Sequence, residues 1–253
     1  MTWDLSLHVL TDDSVADERL VAIVDEAVSA GATVIQLRAK HQSARLQVAL
    51  AHGLARVIDG RAAFIINDRL DVALAASHAG TRIDGVHLGQ DDVSPIVARA
   101  LLGPDALIGW TADTPAHFAA AAAMPAGTLD YLGTGAIHPT ATKLDAPDAL
   151  GIDGFAAIAA TTALPCVAIG GITVSDVEPL LAAGAVGVAV VSAVLGAADP
   201  GAATGAFREA LSRSSAFPAR IDAPAPAPTA PPVPAPTASA PHPTSPALSG
   251  GHA

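Results

Sequence analysis

The sequence predicts a (β/α)8 barrel followed by a proline-rich tail. Three observations carry that prediction. Short apolar runs alternate with helix-length amphipathic or alanine-rich stretches, eight such units fit within residues 1–216, and nearly every run ends in polar or glycine residues. Near-continuous apolar strands spaced by helices indicate a parallel sheet covered on its faces. A doubly wound open sheet is the alternative architecture, and the eightfold count favours the closed barrel.

In chain order, the first strand is expected in LSLHVLT (residues 5–11), followed by a helix near 14–30. TVIQLR (33–38) and AAFIIN (62–67) precede helices near 43–58 and 70–79. DGVHLG (84–89) and ALIGW (106–110) precede helices near 93–102 and 115–123. LDYLGTG (129–135), LPCVAIGG (164–171) and VGVAVVS (186–192) precede helices near 148–162, 174–183 and 200–213. Each run is too short and too often interrupted to span a bilayer.

Beyond residue 216 the composition changes. Eleven of the chain's 20 prolines lie there, so residues 217–253 are expected to form a disordered, polyproline-like tail outside the barrel domain at 1–216. Arg220 and Asp222 cancel within the tail, so the net charge of −11 belongs to the barrel. That charge argues against a nucleic-acid partner and requires local cations wherever an anion binds. The N-terminus lacks a basic, signal-like stretch, and a cytoplasmic location with no membrane partner is expected. The single cysteine, Cys166, excludes an intramolecular disulfide and reads as a small core residue. A homo-oligomer and a partner for the tail are left open.

In a parallel barrel, chemistry gathers at the C-terminal ends of the strands. Those ends carry Gln36, Arg38 and Lys40; Asn67 and Asp68; His87, Gln90, Asp91 and Asp92; Thr111; and Ser192. Asn67, Asp68, Asp91 and Asp92 would also serve as helix caps. However, the third and fourth strands are neighbours about 4.8 Å apart, so their ends can aim Asp68 and one acid of GQDD, Asp91 or Asp92, at one point, and a shared Mg²⁺ is the stronger expectation. Gly170 and Gly171 suit either a tight turn or a phosphate cradle. The segment PTATK offers Thr140, Thr142 and Lys143, as phosphate ligands or as an ordinary surface turn.

Lysine supplies a separate argument. Only Lys40 and Lys143 occur among 13 basic residues, and both fall in expected mouth loops. A compact ammonium suits a multiply charged phosphate, and arginine does not replace it freely. His87 reads as a barrel-interior residue, while His8 and His138 stand where they could touch a ligand. No zinc-type histidine spacing and no G-x-S-x-G elbow occur.

The motifs QLRAK, NDRLDVALA, DGVHLGQDD, GTGAIHPTATK and AIGGI with GAVGVAVVSAV, in this order, resemble the thiamine phosphate synthase family over nearly all of residues 5–213. The resemblance implies a TIM barrel joining 4-amino-5-hydroxymethyl-2-methylpyrimidine diphosphate to 4-methyl-5-(2-phosphoethyl)thiazole, or its carboxylate. The products would be thiamine phosphate and pyrophosphate. It implies that Gln36, Arg38, Lys40 and Asn67 hold the pyrimidine diphosphate and that Asp68 and Asp92 bind Mg²⁺. Thr111 stands where the family has a serine, and Lys143 would reach the diphosphate. Thr140, Ala141, Thr142, Gly171, Val191 and Ser192 would form the thiazole phosphate pocket. Arg38, Lys40, Thr111 and Lys143 would be the catalytic set. The chain departs from the family at Trp110, Asp113, Ala136 and His138. A thiazole tautomerase-like homologue and a non-catalytic phosphate-binding barrel are the alternatives.

Overall fold

The computed structural model describes residues 3–139 and 149–214. Eight strands close in chain order: β1 (Leu7–Leu10), β2 (Val34–Leu37), β3 (Ala63–Asn67), β4 (Gly85–Leu88), β5 (Leu107–Thr111), β6 (Tyr131–Thr134), β7 (Cys166–Ile169) and β8 (Ala185–Val190). Every neighbouring pair is parallel, and β8 returns to β1 with Val188 opposite Leu7. The open-sheet alternative is therefore set aside.

The helices are α1 (Asp17–Ser29), α2 (Ala44–Ile58), α3 (Leu70–His78), α4 (Pro95–Leu102), α5 (Pro115–Ala123), α6 (Gly151–Ala159), α7 (Val177–Ala182), α8 (Ser192–Leu195) and α9 (Pro200–Arg213). A 3-10 turn at Val174–Asp176 leads into α7. The one-turn α8 is too short to leave a periodic signal in the sequence. Helix α1 starts later than expected because Asp12 turns back to accept the Ser14 amide at 3.0 Å, which holds the chain in a turn. Residues 217–253 lie outside the described residues.

Strand alternation divides the core in two. Leu7, Val9, Ile35, Leu37, Phe64 and Ile66 point outward and pack with the helices. Leu10, Val34, Ile65, Leu107, Tyr131 and Val167 point inward and fill the barrel. Two glycines make room there for large rings. A Cβ on Gly109 would lie 2.2 Å from the Tyr131 ring and 2.5 Å from His87 Nδ1, and one on Gly133 would lie 2.8 Å from His87 Cε1.

At the N-terminal ends of the strands the acids are bolts. Asp130 accepts the Ile108 amide and the Arg99 guanidinium, both at 2.7 Å, and Asp84 accepts the Phe64 amide at 2.8 Å. Among the described residues, no helix is long and apolar enough to cross a membrane.

Candidate active site

The opposite end of the barrel opens into a cavity of about 820 Å³. Gln36, Arg38, Lys40, Asn67, Asp68, Asp92, Thr111, Gly171, Val191 and Ser192 all line it, so ten of the expected site positions share one space. Thr140, Ala141, Thr142 and Lys143 lie outside the described residues.

Local geometry explains how each side chain arrives. The Thr11 hydroxyl accepts the Arg38 amide at 2.8 Å and donates to the Arg38 carbonyl at 3.0 Å, fixing the end of β2 against β1. The Arg38 guanidinium then meets Asp12 at 2.5 Å. Burial pushes the Asp12 carboxyl upward, but the Ser14 amide and side chain together with Arg38 outweigh it and hold the group below its ordinary value. Gln36 points inward by alternation and donates from Nε2 to Asn67 Oδ1 at 2.5 Å. Two strand ends are thereby joined.

Asp68 takes the left-handed backbone region, with φ of 64°, and its amide donates to the His87 carbonyl at 2.8 Å. Its carboxylate lies 3.7 Å from Lys40 Nζ. Asp92 accepts the Gly89 amide at 2.6 Å. The two acids converge closely enough for one to hydrogen-bond the other. Burial, and then the charge of Asp92, push the Asp68 carboxyl up to about 6, with Lys40 opposing. Helices α3 and α4 begin behind Arg69 and Ser94, so none of Asn67, Asp68, Asp91 and Asp92 serves as their N-cap. Their carboxylates serve the cavity.

This donor set fits a divalent cation. Two converging acids leave an excess of negative charge that a cation would relieve, and hard oxygen donors suit Mg²⁺. Among the described residues no group of three or more acids, histidines or cysteines converges. Phosphate oxygens and water would have to complete the coordination, as Mg²⁺ sites commonly allow.

Inside the barrel, His87 bridges two hydroxyls. Its Nδ1 lies 2.9 Å from the Tyr131 hydroxyl and its Nε2 3.1 Å from Thr111 Oγ1. Burial raises the Tyr131 pKa far above the ordinary phenol value, so it stays protonated. Either tautomer of His87 leaves the Thr111 hydroxyl held. His8 also lines the cavity, edge-on to Tyr131 with ring centres 5.2 Å apart. Burial, and then the proximity of His87, lower its pKa to about 3, so it is neutral. His138 does not line the cavity; it pairs with Asp176 at 3.1 Å.

Gly170 and Gly171 meet the tight-turn reading directly. Both have positive φ, 99° and 68°, and a Cβ on Gly171 would come 2.8 Å from that of His138. Three participants escaped the sequence reading. Asp12 was legible only as an acid after the first strand, Tyr131 lay hidden in an apolar run, and the pairing of Asp113 with His117 joins a loop residue to the first turn of α5, a contact that helix bounds alone do not reveal.

The profile of the family described as "Thiamine monophosphate synthase" matches residues 7–194. A thiamine-phosphate synthase of Azorhizobium caulinodans is 43% identical over 178 residues, covering 70% of this chain and 80% of the relative. That of Moorella thermoacetica is 42% identical over 213 residues, covering 84% and 97%. Among solved structures, a thiamine phosphate pyrophosphorylase from Pyrococcus furiosus superposes with a TM-score of 0.70 at 34% identity, covering 82% of this chain and 95% of that one. With its fold, its polar mouth and these relatives in agreement, the chain belongs to the thiamine monophosphate synthase family.

Proposed function

We propose that the chain is a thiamine phosphate synthase, a transferase that joins the pyrimidine diphosphate to the thiazole phosphate and releases pyrophosphate. The observation that carries this reading is the convergence of Arg38, Lys40, Asp68, Asp92, Asn67, Gln36 and Thr111 on one cavity. A tautomerase or a silent phosphate-binding barrel has no need of that set.

In the reaction, the bond between the pyrimidine methylene carbon and the diphosphate oxygen breaks, and its electron pair leaves with the diphosphate. The thiazole nitrogen then donates its lone pair to the methylene carbon, forming the new C–N bond. No general base is required. What lowers the barrier is fixed positive charge where negative charge accumulates. Arg38, Lys40 and Lys143 supply it, with Arg38 oriented by Asp12. Mg²⁺, held by Asp68 and Asp92, would add Lewis-acid charge to the departing group.

Gln36 commits one of its two amide N–H groups to Asn67, and its carbonyl oxygen would accept from the pyrimidine amino group. The Asn67 amide nitrogen is left to donate to the same ligand. Thr111, held by His87, lines the same cavity and would offer its hydroxyl to the diphosphate or the reacting pyrimidine. Leu10, Val167, Ile169 and Ala189 give the cavity an apolar floor that excludes competing water. Thr140, Ala141, Thr142, Gly171, Val191 and Ser192 hold the thiazole phosphate. Residues 1–216 form the catalytic domain and residues 217–253 an appended tail, and the reaction's phosphorylated substrates suit a cytoplasmic setting.

The test is to mix the purified protein with both substrates and Mg²⁺, following thiamine phosphate as its fluorescent oxidation product and pyrophosphate in parallel. Equal amounts of the two products are expected. Binding of thiazole phosphate without either product would refute the assignment.

A further inference from the structure

We propose that Asp113 and His117 form a substrate-contacting pair at the mouth of β5, in which the His117 imidazole donates from Nε2 to a diphosphate oxygen. The inference deepens the reading above and rests on it for the identity of the ligand. Both residues line the main cavity.

Asp113 poses an electrostatic problem. Its side chain is only 8% exposed, and a lone buried carboxylate would repel the anion that the cavity must accept. Its ion-pair partner is His117, with Nδ1 2.7 Å from Oδ1. A carboxylate at that distance selects a proton on Nδ1. The Asp113 amide also lies 3.5 Å from Nδ1, which would need a lone pair there, and the shorter contact decides the tautomer.

Nε2 is then the ring nitrogen left for a ligand. It makes no hydrogen bond among the described residues, and the side chain is 28% exposed. Donation from Nδ1 to Asp113 and from Nε2 to a phosphate oxygen together require the imidazolium form, whose charge would offset that of Asp113. The pair thus converts a repulsive acid into an oriented donor.

The ring is also held in place. The Thr114 hydroxyl accepts the His117 amide at 3.3 Å, pinning the first turn of α5. Trp110 stands edge-on, with ring centres 6.4 Å apart, and its indole N–H is fixed on Gly89. The diphosphate is the expected ligand because β5 is bonded to β4, whose loop carries Asp92. Gln90 in that loop also ties to the Thr111 carbonyl at 2.6 Å.

The experiment measures binding of inorganic pyrophosphate with Mg²⁺ by calorimetry, alongside KM for each substrate, in wild type, His117→Ala, His117→Gln and the Asp113→Asn/His117→Ala double variant. Losing a charge-assisted donor corresponds to roughly 10- to 100-fold in affinity. His117→Ala is expected to weaken pyrophosphate and raise KM for the pyrimidine diphosphate by that factor, leaving KM for thiazole phosphate unchanged. His117→Gln keeps a donor and is expected to recover part of the loss. The Asp113→Asn/His117→Ala double variant is expected to be no weaker than His117→Ala alone.

Unchanged pyrophosphate affinity in His117→Ala, with only a lowered melting temperature, would mean the pair merely staples α5 and would overturn the proposal. So would a change confined to KM for thiazole phosphate. A wild-type protein that binds pyrophosphate through His117 yet forms no thiamine phosphate would retain the anion contact and remove the proposed reaction.

Discussion

The indole N–H of Trp110 donates to the carbonyl of Gly89 at 3.2 Å, and the amide of that same glycine donates to Asp92 at 2.6 Å. A residue on β5 thereby braces the carboxylate carried by the loop after β4.

Trp110→Phe keeps the ring against the helices and removes the donor. A net hydrogen bond corresponds to about 2- to 10-fold in an equilibrium constant. The Mg²⁺ concentration giving half-maximal activity is expected to rise by about that factor, with turnover at saturating Mg²⁺ nearly unchanged. An unaltered Mg²⁺ titration would show that Asp92 needs no brace.

Thr111→Val preserves shape and removes the hydroxyl, whereas His87→Phe removes the group that orients it. Each is expected to lower turnover by roughly 10- to 100-fold. Because both act through one hydroxyl, the double variant is expected to be about as slow as the slower single variant. Multiplicative losses would assign His87 and Thr111 separate roles.

The fold was legible because each strand is a bounded apolar run, and in a barrel consecutive runs must become neighbours. Convergence of the acids followed from the same order, since β3 and β4 are adjacent. What escaped were pairings between segments distant in sequence. Nothing local marks Asp12 as the partner of Arg38, 26 residues on, or Tyr131 as the partner of His87, 44 residues earlier. Those contacts depend on strand register and on the room left by Gly109 and Gly133. The one-turn α8 escaped for lack of length.

His8 carries a pH prediction. Its folded pKa, lowered to about 3, lies below the unfolded value of 6.5. Between these values the unfolded chain binds the extra proton, so stability rises with pH through the window and is fully present above it. From pH 7 to pH 5 the group should remove about 2 kcal/mol. Urea unfolding at both pH values is expected to show this increment in wild type and not in His8→Leu. Equal losses in the two proteins would place the acid sensitivity elsewhere.

Lys40 tests why lysine survives in a chain whose other basic residues are nearly all arginine. Lys40→Ala is expected to cost roughly 10²–10³ in turnover, as loss of one preorganised electrostatic donor does elsewhere. Lys40→Arg retains the charge but not the compact ammonium and is expected to remain at least about 10-fold slow. Wild-type turnover in the arginine variant would show that charge alone suffices. Lys143→Ala carries the same expectation as Lys40→Ala.

Departure of the diphosphate is proposed to depend on the Asp68 and Asp92 pair, with the cations around it. The most direct measurement is the rate of thiamine phosphate formation against Mg²⁺ concentration, in wild type, Asp68→Asn and Asp92→Asn, with a chelator control. The account predicts no product with chelator and losses of roughly 10²–10³ in each variant. Full turnover in chelator, or a wild-type rate and Mg²⁺ dependence in both variants, would contradict it.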